Sequence, residues 1–349
     1  MKNWDCFQGK VILLTGHTGF KGTWLTHLLS SLGAKVVGLS LPLGPENSFY
    51  SISNAESKTE SSFYHDLLDL QKTEMTLRSV DPDYIFHFAA QPLISKSYEN
   101  PLRTIQVNVL GTLNLLTLAL KNQNLKGVTI AATDKVYATR AQFEPFIESD
   151  VLGGDDPYSA SKAAAEILIK SVSKSCNPFL IPVTTIRAGN VIGFGDNAEN
   201  RLVPDIWRSI NTGHALKIRN RDGIRPWLFI TDSLSAYLSA ARGHLTADYD
   251  SVATEFNVGT IDQVTVSNFI EIFSSVLGRH IPTEDVNSPF QENPQLLLNP
   301  SLIKQRLGWS AKFSTEQAVV QTAESYNSLL SGSKVTDIIL STIMRDFTI

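Results

Sequence analysis

Short apolar runs and helix-like stretches alternate along the first half of the chain. Residues 10–16 (KVILLTG) are a short apolar run, residues 22–34 (GTWLTHLLSSLGA) have helical spacing and a glycine near the end, and residues 35–41 (KVVGLSL) are a second apolar run. Runs of four to eight apolar residues are typical of buried strands, and spacings of three and four are typical of helices. The three segments together predict a strand–helix–strand unit.

The same alternation continues to about residue 193. It predicts strands at 84–90 (YIFHFAA), 127–133 (GVTIAAT) and 183–193 (VTTIRAGNVIG), and a long helix from about Thr104 to Asn122. Strands that alternate with helices indicate an α/β fold with a doubly wound parallel sheet of the Rossmann type.

The alternation is weaker after about residue 195, where mixed segments predict a smaller α/β unit. We expect residues 1–190 to form the Rossmann domain and residues 191–349 to form most of a second domain, with some segments interleaved. Residues 40–62 (SLPLGPENSFYSISNAESKTESS) are the most loop-like stretch and are interpreted as a lid or a substrate-side loop.

Composition narrows the class of partner. With 349 residues, 42% hydrophobic, 18% charged and a net charge of -4, the chain has the profile of an ordinary globular protein. It has no basic face for nucleic acid and no polybasic patch for a membrane, which favours a small-molecule partner. Cys6 and Cys176 are too few and too far apart for a disulfide framework or a zinc site, and no metal is expected. Without a signal-peptide pattern or an apolar run of about 20 residues, a cytoplasmic location is expected.

A glycine pattern, TGHTGFKG, follows the first predicted strand and opens the first helix, with glycines at Gly16, Gly19 and Gly22. Glycines there let a dinucleotide pyrophosphate approach the amides at the helix N-terminus, where the helix dipole favours negative charge. An isolated glycine triplet is equally consistent with a tight turn, but its place in a strand–helix–strand unit favours a dinucleotide. Thr18, Phe20 and Lys21 of the same pattern are then candidate cofactor contacts.

The choice between NAD and NADP stays open on local chemistry. The second strand ends in GLSLPLG, so Ser40 stands roughly where an acid would bind the adenosine ribose of NAD, and no arginine cluster for the 2′-phosphate of NADP is present. Asp66, in YHDLLDL, could bind the adenine amino group, although a solvated loop aspartate is the alternative.

A second pattern, GGDDPYSASK, predicts a helix that carries chemistry. Asp156 is a good N-cap and Pro157 suits the first helical position, so Tyr158 and Lys162 lie four residues apart on one helical face. An ammonium beside a phenol lowers the pKa of the phenol, which makes the tyrosine a base for an alcohol proton during hydride transfer. Thr133, at the end of a preceding strand, adds to this pattern.

These patterns resemble the extended short-chain dehydrogenases/reductases that act on nucleotide sugars, and more narrowly the CDP-glucose 4,6-dehydratases. The resemblance covers nearly the whole chain, to LNPSLIKQRLGW near the C-terminus. It is carried by the segments GHTGFKGTWL, HFAAQPLISKSYENP, NVLGT, TDKVY, GGDDPYSASK, RAGNVIGFGD, RLVPD and IRNRDGIRPW.

The resemblance implies a tightly held NAD and an intramolecular dehydration in deoxysugar biosynthesis, including that of lipopolysaccharide O-antigen. Tyr158 would remove the 4-hydroxyl proton as the C4 hydride passes to NAD, and Thr133 would hydrogen-bond the 4-oxygen. A base then removes the C5 proton, water leaves from C6 with help from an acid, and the hydride returns to C6. Asp134 would be that acid, and Lys135 would lie close to C5.

The pair Asp134–Lys135 also bears on specificity. By the resemblance, related dTDP-glucose dehydratases carry Asp-Glu at this place and the CDP-glucose enzymes carry Asp-Lys, as here. The alternative is a strand-end ion pair without a function. It is less favoured, because consecutive residues on a strand point to opposite faces.

The resemblance also implies two sets of binding residues. Further cofactor contacts are expected from the residues Leu67, Ala89, Ala90, Gln91 and Asn108. Substrate contacts are expected from the residues Gln91, Ser95, Asn190, Arg201, Leu202, Arg219 and Arg225. Asn190 would contact the pyrophosphate and Arg225 would clamp it, since a bidentate guanidinium suits that task; for Arg201 and Arg219 a structural role is an equal alternative. A homodimer or tetramer, paired through the Tyr158 helix and the long helix before it, is expected.

Three departures from the family pattern bear on base or sugar specificity. Leu228–Phe229 replace a common Gln-His, Phe194 replaces a frequent glycine, and residues 140–150 replace a tryptophan-bearing loop. A 4,6-dehydratase or 4-epimerase for dTDP-, UDP- or GDP-linked sugars, or a non-catalytic homologue, therefore remain alternatives. An epimerase needs no acid and base for water loss, and a non-catalytic homologue would be expected to lack Tyr158 or Lys162.

Overall fold

The fold is described from a computed structural model, which covers residues 4–43, 48–140, 144–248, 253–287 and 296–348. The strands are β1 Val11–Thr15, β2 Lys35–Ser40, β3 Ser61–Tyr64, β4 Tyr84–His87, β5 Val128–Thr133, β6 Val183–Ala188, β7 Asn190–Ile192, β8 Leu216–Ile218, β9 Ile224–Arg225, β10 Trp227–Phe229, β11 Ala253–Val258, β12 Val264–Thr265 and β13 Thr283–Asp285. The α-helices are α1 Phe20–Ser31, α2 Phe49–Ile52, α3 Leu70–Val80, α4 Ile94–Glu99, α5 Pro101–Ile105, α6 Thr112–Ala119, α7 Pro157–Ser175, α8 Leu202–Thr212, α9 Ile230–Leu245, α10 Val266–Leu277, α11 Ser301–Leu307, α12 Thr315–Leu330 and α13 Val335–Phe347. Single turns of 3-10 helix lie at Asp5–Phe7, Ala55–Lys58 and Asp134–Val136, and a π-helix lies at Gln106–Gly111.

Seven strands form the central sheet in the order β11-β6-β5-β4-β1-β2-β3. Every neighbouring pair in it is parallel. The chain runs from β1 outward to β2 and β3, then returns to place β4 on the other side of β1. This reversal is the switch point at which doubly wound sheets bind ligands, beside the carboxyl ends of the strands. The predicted fold class is confirmed.

The carboxyl edge of the sheet brings several predicted segments together. Thr15 at the end of β1 is in register with His87 at the end of β4, and Thr133 at the end of β5 is in register with Ala188 at the end of β6. The glycine pattern after β1 and the Asp134–Val136 turn after β5 therefore leave the same edge.

Several helix and strand boundaries differ from the prediction: the strand predicted at 84–90 ends at His87, and the long helix ends at Ala119 instead of Asn122. The long helix begins at Pro101 instead of about Thr104, because Asn100 caps its first turn by accepting from the Arg103 amide at 3.0 Å. The same helix includes a π-helical segment at Gln106–Gly111. The strand predicted at 183–193 is two strands separated at Gly189, and the second of them, β7, leaves the sheet to pair with β10.

The interpretation of residues 40–62 as a loop is wrong for most of its described part. That stretch contains α2, the 3-10 turn at Ala55–Lys58 and the start of β3. β3 is a short edge strand whose residues are only half-buried or exposed, so it lacks the apolar run that marks a buried strand. Residues 44–47 lie outside the described part.

The second half of the chain contributes small sheets and one strand of the large sheet. β7 pairs with β10, β9 with β12 and β8 with β13, while β11 joins the edge of the central sheet beside β6. One core cluster includes Trp24 of α1, Phe86 of β4 and Phe273 of α10, so apolar side chains from both halves pack together. The domain division at residue 190 stays a prediction. Among the described helices, none is long and apolar enough to cross a membrane.

Candidate active site

The loop between β1 and α1 has a shape that needs glycine. Gly16 has a φ of +72°, and a Cβ at this residue would lie 2.7 Å from the Ala89 nitrogen. A Cβ at Gly22 would lie 2.1 Å from the Gly16 carbonyl oxygen. Gly19 is the N-cap of α1, which has no side-chain cap and no acidic residue in its first turn. The first amides of α1 are therefore open to an anion, and the loop fits a dinucleotide pyrophosphate.

Lys21 adds a positive charge inside this loop. Its Nζ lies 5.9 Å from the ring centroid of Phe88 and 5.6 Å from that of Tyr237. Burial, together with the nearby charges of Arg201 and Lys162, lowers the pKa of Lys21 to about 8. The charge of Lys162 therefore acts on the glycine loop.

The other predicted cofactor contacts surround this loop. Thr18 lies within it, Phe20 opens α1, and Ala89 and Ala90 directly follow β4. Leu67 is buried, and a Cβ at Gly111 in the π-helix would lie 3.3 Å from its Cβ.

Asp66 has an ion-pair partner that sequence analysis missed. Its carboxylate accepts from the Leu68 amide at 3.0 Å and pairs with the Arg103 guanidinium. Burial raises the pKa of Asp66, but these two hydrogen bonds outweigh burial and hold the pKa below its ordinary value. The predicted contact with adenine would have to share this carboxylate with Arg103.

Asn108 connects the loop after β4 to α7. Its Oδ1 accepts from the Gln91 amide at 2.8 Å, and its Nδ2 donates to the Gln91 carbonyl at 3.1 Å and to Ser161 Oγ of α7 at 2.9 Å. The Gln91 side chain donates to the Leu93 carbonyl at 3.1 Å and to Thr104 Oγ1 at 3.0 Å. Both side chains therefore shape the loop as well as being candidate contacts.

The start of α7 is as predicted. Asp156 is the N-cap: its carboxylate accepts from the Ser159 amide at 2.9 Å and from Ser159 Oγ at 2.6 Å, and Pro157 is the first helical residue. The Lys162 ammonium, one turn further, donates to the Ala131 carbonyl of β5 at 2.7 Å. The cap at Asp156 sets the start of α7, and Lys162 then contacts the strand that precedes the turn Asp134–Val136.

The pKa values of Tyr158 and Lys162 differ from the expectation. Burial raises the pKa of Tyr158 to about 12, although a hydrogen bond with Thr133 and the charge of Arg201 oppose that effect. Burial lowers the pKa of Lys162 to about 8, and the Glu166 carboxylate opposes it. The expected lowering of the Tyr158 pKa by Lys162 is not found in this structure, because burial dominates.

Asp134 and Lys135 form an ion pair directly after β5. Asp134 Oδ1 accepts from Thr133 Oγ1 at 2.9 Å and from Lys135 Nζ at 3.2 Å. The Asp134 side chain is 5% exposed and that of Lys135 is 26% exposed. The argument that the two charges point to opposite faces is wrong, because β5 ends at Thr133 and a 3-10 turn brings them together.

The segment after β6 faces this turn. Asn190 opens β7, and a Cβ at the preceding Gly189 would lie 3.8 Å from Asp134 Oδ2. Arg201 donates to Asp196 Oδ2 at 3.0 Å. This bond gives Arg201 a defined partner for a structural role, the alternative to substrate binding. Asp196 is buried and was not predicted from the sequence, although it lies within the RAGNVIGFGD segment.

The remaining predicted substrate contacts lie on separate elements. Ser95 is in α4, Leu202 is the first residue of α8, and Arg219 donates to Asn200 Oδ1 at 3.0 Å. Arg225 of β9 donates to the Ile224 carbonyl at 2.8 Å. Their contacts with a substrate stay predictions.

Two departures from the family pattern are explained by packing. Leu228 and Phe229 are each 1% exposed in β10, inside the hydrophobic core. Phe194 is also buried, and its carbonyl accepts from Trp24 Nε1 at 2.8 Å. These residues fill the core and are not on an accessible surface. In the third departure, residues 141–143 lie outside the described part of the chain.

Comparison with known sequences identifies the family. A family model described as GDP-mannose 4,6 dehydratase matches residues 13–322. The CDP-glucose 4,6-dehydratase of Salmonella typhimurium is 33% identical over 336 residues, which are 93% of this chain and 93% of that protein. A dTDP-glucose 4,6-dehydratase of Xanthomonas campestris pv. campestris is 27% identical over 336 residues, 90% of this chain and 92% of that protein.

Solved structures share the fold. UDP-glucose 4-epimerase from Thermotoga maritima with UDP-glucose has a TM-score of 0.79 at 22% identity, over 91% of this chain and 99% of that one. dTDP-glucose 4,6-dehydratase from Bacillus anthracis in complex with NAD has a TM-score of 0.76 at 23% identity, over 93% and 98% of the two chains. The sequence relatives support a nucleotide-sugar 4,6-dehydratase. The chain belongs to the GDP-mannose 4,6-dehydratase family of extended short-chain dehydrogenases/reductases.

Proposed function

We propose that the protein is an NAD-dependent CDP-glucose 4,6-dehydratase that converts CDP-glucose to CDP-4-keto-6-deoxyglucose and water. The observation that carries this proposal is the turn Thr133–Asp134–Lys135 beside Tyr158. A carboxyl, an amine and a hydroxyl meet there, within reach of the phenol that would begin the reaction. The relative named CDP-glucose 4,6-dehydratase, at 33% identity, supports the same substrate.

The glycine loop is the proposed NAD site. Open amides at the start of α1 would bind the pyrophosphate, and the loop has no acidic side chain in the first helical turn to repel it. When bound, NAD supplies a hydride acceptor for C4 and later a hydride donor for C6. The NAD named in the structure of the Bacillus anthracis relative supports this choice of cofactor.

Tyr158 and Thr133 would act on the sugar 4-hydroxyl. The Thr133 side chain lies close enough to Tyr158 to oppose the rise in its pKa, so one sugar oxygen would be able to contact both. Because burial raises the pKa of Tyr158 to about 12, the phenol needs stabilisation of its anion before it can take a proton. Lys162 lies on the same helical face as Tyr158, and its ammonium donates to the Ala131 carbonyl of β5. This ammonium is the group positioned to stabilise the phenolate.

Asp134 and Lys135 would act at the elimination. Asp134 Oδ1 is occupied by Thr133 and Lys135, so Oδ2, on the side of Gly189, is the oxygen that would give a proton to the departing C6 hydroxyl. Lys135 Nζ lies 3.2 Å from Asp134 Oδ1. As a free amine, Lys135 would take the C5 proton while Asp134 gives its proton to the C6 hydroxyl, and the contact between the two side chains would then return a proton from Lys135 to Asp134.

The buried carboxyl also separates this proposal from a 4-epimerase. Epimerisation oxidises and reduces the same carbon, so it needs no proton donor at C6. The buried Asp134, beside Thr133 and Lys135, would supply the proton donor that water loss needs and epimerisation does not.

The test is product formation from a panel of nucleotide sugars. The purified protein with NAD is incubated separately with CDP-, dTDP-, UDP- and GDP-glucose and GDP-mannose, and the alkali-induced absorbance of a 4-keto-6-deoxy sugar is followed. We expect a signal with CDP-glucose at the highest kcat/KM. The matched variant Asp134→Asn keeps the side-chain shape but has no acidic proton, and it should lose the signal. If only another nucleotide sugar gives a signal, that sugar replaces CDP-glucose as the proposed substrate. If no nucleotide sugar gives a signal, the proposal of a dehydratase is refuted.

A further inference from the structure

A buried arginine lies behind the catalytic residues. Arg187, near the end of β6, is 2% exposed, and its Nε donates to both oxygens of Glu166 at 2.8 and 3.1 Å. Its Nη2 donates to Glu166 Oε2 at 2.5 Å. Glu166 is 4% exposed and belongs to α7. One side of the guanidinium is therefore fixed to the helix that carries Tyr158 and Lys162.

The other side of the same guanidinium is fixed to the catalytic turn. Arg187 Nη1 donates to Tyr137 Oη at 2.8 Å and to the Glu148 carbonyl at 3.0 Å. Tyr137 Oη donates in turn to Asn257 Oδ1 of β11 at 2.6 Å. Tyr137 directly follows the turn Asp134–Val136, so this hydroxyl connects the arginine to the end of that turn.

The spacing along α7 makes the first connection short. Glu166 is four residues after Lys162, which places both side chains on one face of the helix, one turn apart. The Glu166 charge acts on Lys162, and the Lys162 ammonium rests on the Ala131 carbonyl of β5. Lys162 and Glu166 therefore attach successive turns of α7 to β5 and β6, on the helical face that presents Lys162.

Stability alone does not account for this arrangement. Replacing a buried ion pair by apolar side chains of similar volume is often neutral or stabilising, so a pair of this kind is weak evidence for a stabilising role. The planar guanidinium instead fixes direction, because its donors leave in set directions toward different elements. Here those directions are the catalytic helix and the catalytic turn.

We propose that Arg187 is a positioning residue that sets the catalytic helix α7 and the turn Asp134–Val136 relative to each other, through Glu166 and Tyr137. The inference rests on the proposed function, in which Tyr158 acts at oxidation and Asp134 and Lys135 act at elimination. The Glu166 connection then governs the first step, and the Tyr137 connection governs the second.

The test uses Tyr137→Phe with Tyr84→Phe as its control. Phenylalanine keeps the stacking of ring 137 on Phe146, at 4.6 Å, and removes only the hydroxyl. Tyr84 is also fully buried, and its hydroxyl bonds two side chains, those of Thr129 at 2.7 Å and His244 at 2.8 Å. Both variants therefore lose one buried hydroxyl with two partners, but only one of them loses the connection to the turn.

In single-turnover experiments with CDP-glucose, Tyr137→Phe should slow elimination roughly tenfold and change oxidation of C4 less than about threefold, so the 4-keto-glucose intermediate accumulates. The tenfold change corresponds to about 1.4 kcal/mol. Glu166→Gln should show the opposite pattern, with oxidation slowed more than elimination. Equal slowing of both steps in Tyr137→Phe and Tyr84→Phe would overturn the proposal.

Amide hydrogen exchange tests the same connection without a substrate. A peptide covering residues 132–138 should exchange roughly tenfold faster in Tyr137→Phe than in the wild type and should be unchanged in Tyr84→Phe. Unchanged exchange in both variants would overturn the proposal even if the protein is active. If the wild type turns over no nucleotide sugar, the proposed function fails, and faster exchange confined to Tyr137→Phe would still support the positioning role.

Discussion

Replacing Lys162 by methionine should make the folded protein more stable at neutral pH while abolishing activity. Lys162 is 8% exposed, and burial lowers its pKa from 10.5 to about 8. That difference corresponds to roughly 3 kcal/mol by which the folded state disfavours the charged amine relative to the unfolded chain. Methionine is uncharged and of similar length, so Lys162→Met removes this cost.

The opposing term is the hydrogen bond to Ala131. Without the ammonium, the Ala131 carbonyl loses a 2.7 Å contact, and a buried acceptor without a partner costs about 1–3 kcal/mol. The net gain at pH 7 is therefore between about 0 and 2 kcal/mol. The size of the net gain is not decisive, but its dependence on pH is.

The sign of that dependence follows from the pKa of Lys162. Below pH 8 the amine is protonated in both states, so the penalty is fully present. Between about pH 8 and 10.5 the unfolded chain holds a proton that the folded protein has released, so the stability of the wild type rises with pH. The variant lacks this titration, and its advantage should shrink by roughly 3 kcal/mol between pH 7 and 10.5.

The assay is urea unfolding at fixed protein concentration from pH 7 to 10.5, with Lys174→Met as the control. Lys174 is an exposed lysine on the same helix, so its replacement should leave the pH dependence unchanged. Because the Lys162 charge contributes to the lowered pKa of Lys21, the same pair of proteins is also compared in a Lys21→Met background. A stability difference between wild type and Lys162→Met that stays constant within about 1 kcal/mol across this range would refute the reasoning.

Three further predictions concern activity. Tyr158→Phe should lower kcat roughly 100-fold or more with little change in KM, because the proton acceptor is lost and the binding contacts stay; near-normal turnover in steady-state kinetics would remove Tyr158 from the role of base. Arg225→Ala should raise KM far more than it lowers kcat, since a diphosphate contact binds ground and transition states alike; the reverse pattern would place Arg225 in the chemistry. Lys135→Ala should still oxidise C4 but stall before elimination, so that 4-keto-glucose can be trapped and reduced-cofactor absorbance persists; an unimpaired overall rate would leave Lys135 as a structural ion pair.

The parts of the site that the sequence predicts are those that local chemistry determines. Asp156 caps α7 by bonding a residue three positions away, and the glycines of the first loop are needed by contacts with the adjacent turn and strand end. Such short-range signals are visible in one sequence, because the partners are neighbours or follow a fixed spacing. The central strands are predicted for a similar reason, since their burial on both faces requires continuous apolar runs.

The parts that the sequence does not predict depend on distant partners. Asp66 meets Arg103 across 37 positions, and Arg187 meets Tyr137 across 50, with no spacing rule that could indicate either pair. The Asp134–Lys135 ion pair is an alternative that the sequence offers, but it is disfavoured there for a different reason. The end of β5 lies one residue earlier than the charged pair, and strand geometry was applied to residues that form a 3-10 turn.

The pKa of Tyr158 shows why burial is the deciding unknown. The Tyr-x-x-x-Lys spacing indicates an ammonium near a phenol, which lowers the pKa of the phenol, yet burial raises it to about 12. The same burial lowers the pKa of Lys162 to about 8, so the energy that disfavours the phenolate also disfavours the ammonium that would stabilise it. A phenolate and an ammonium formed together are stabilised by each other in a dry site far more than in water, because their attraction is less screened there.

The proton-accepting form of Tyr158 should therefore depend on the charged state of Lys162, and activity should be lost as Lys162 is deprotonated above about pH 8. A kcat/KM profile whose alkaline limb is unchanged in Glu166→Gln, which removes the carboxylate that raises the pKa of Lys162, would contradict this coupling.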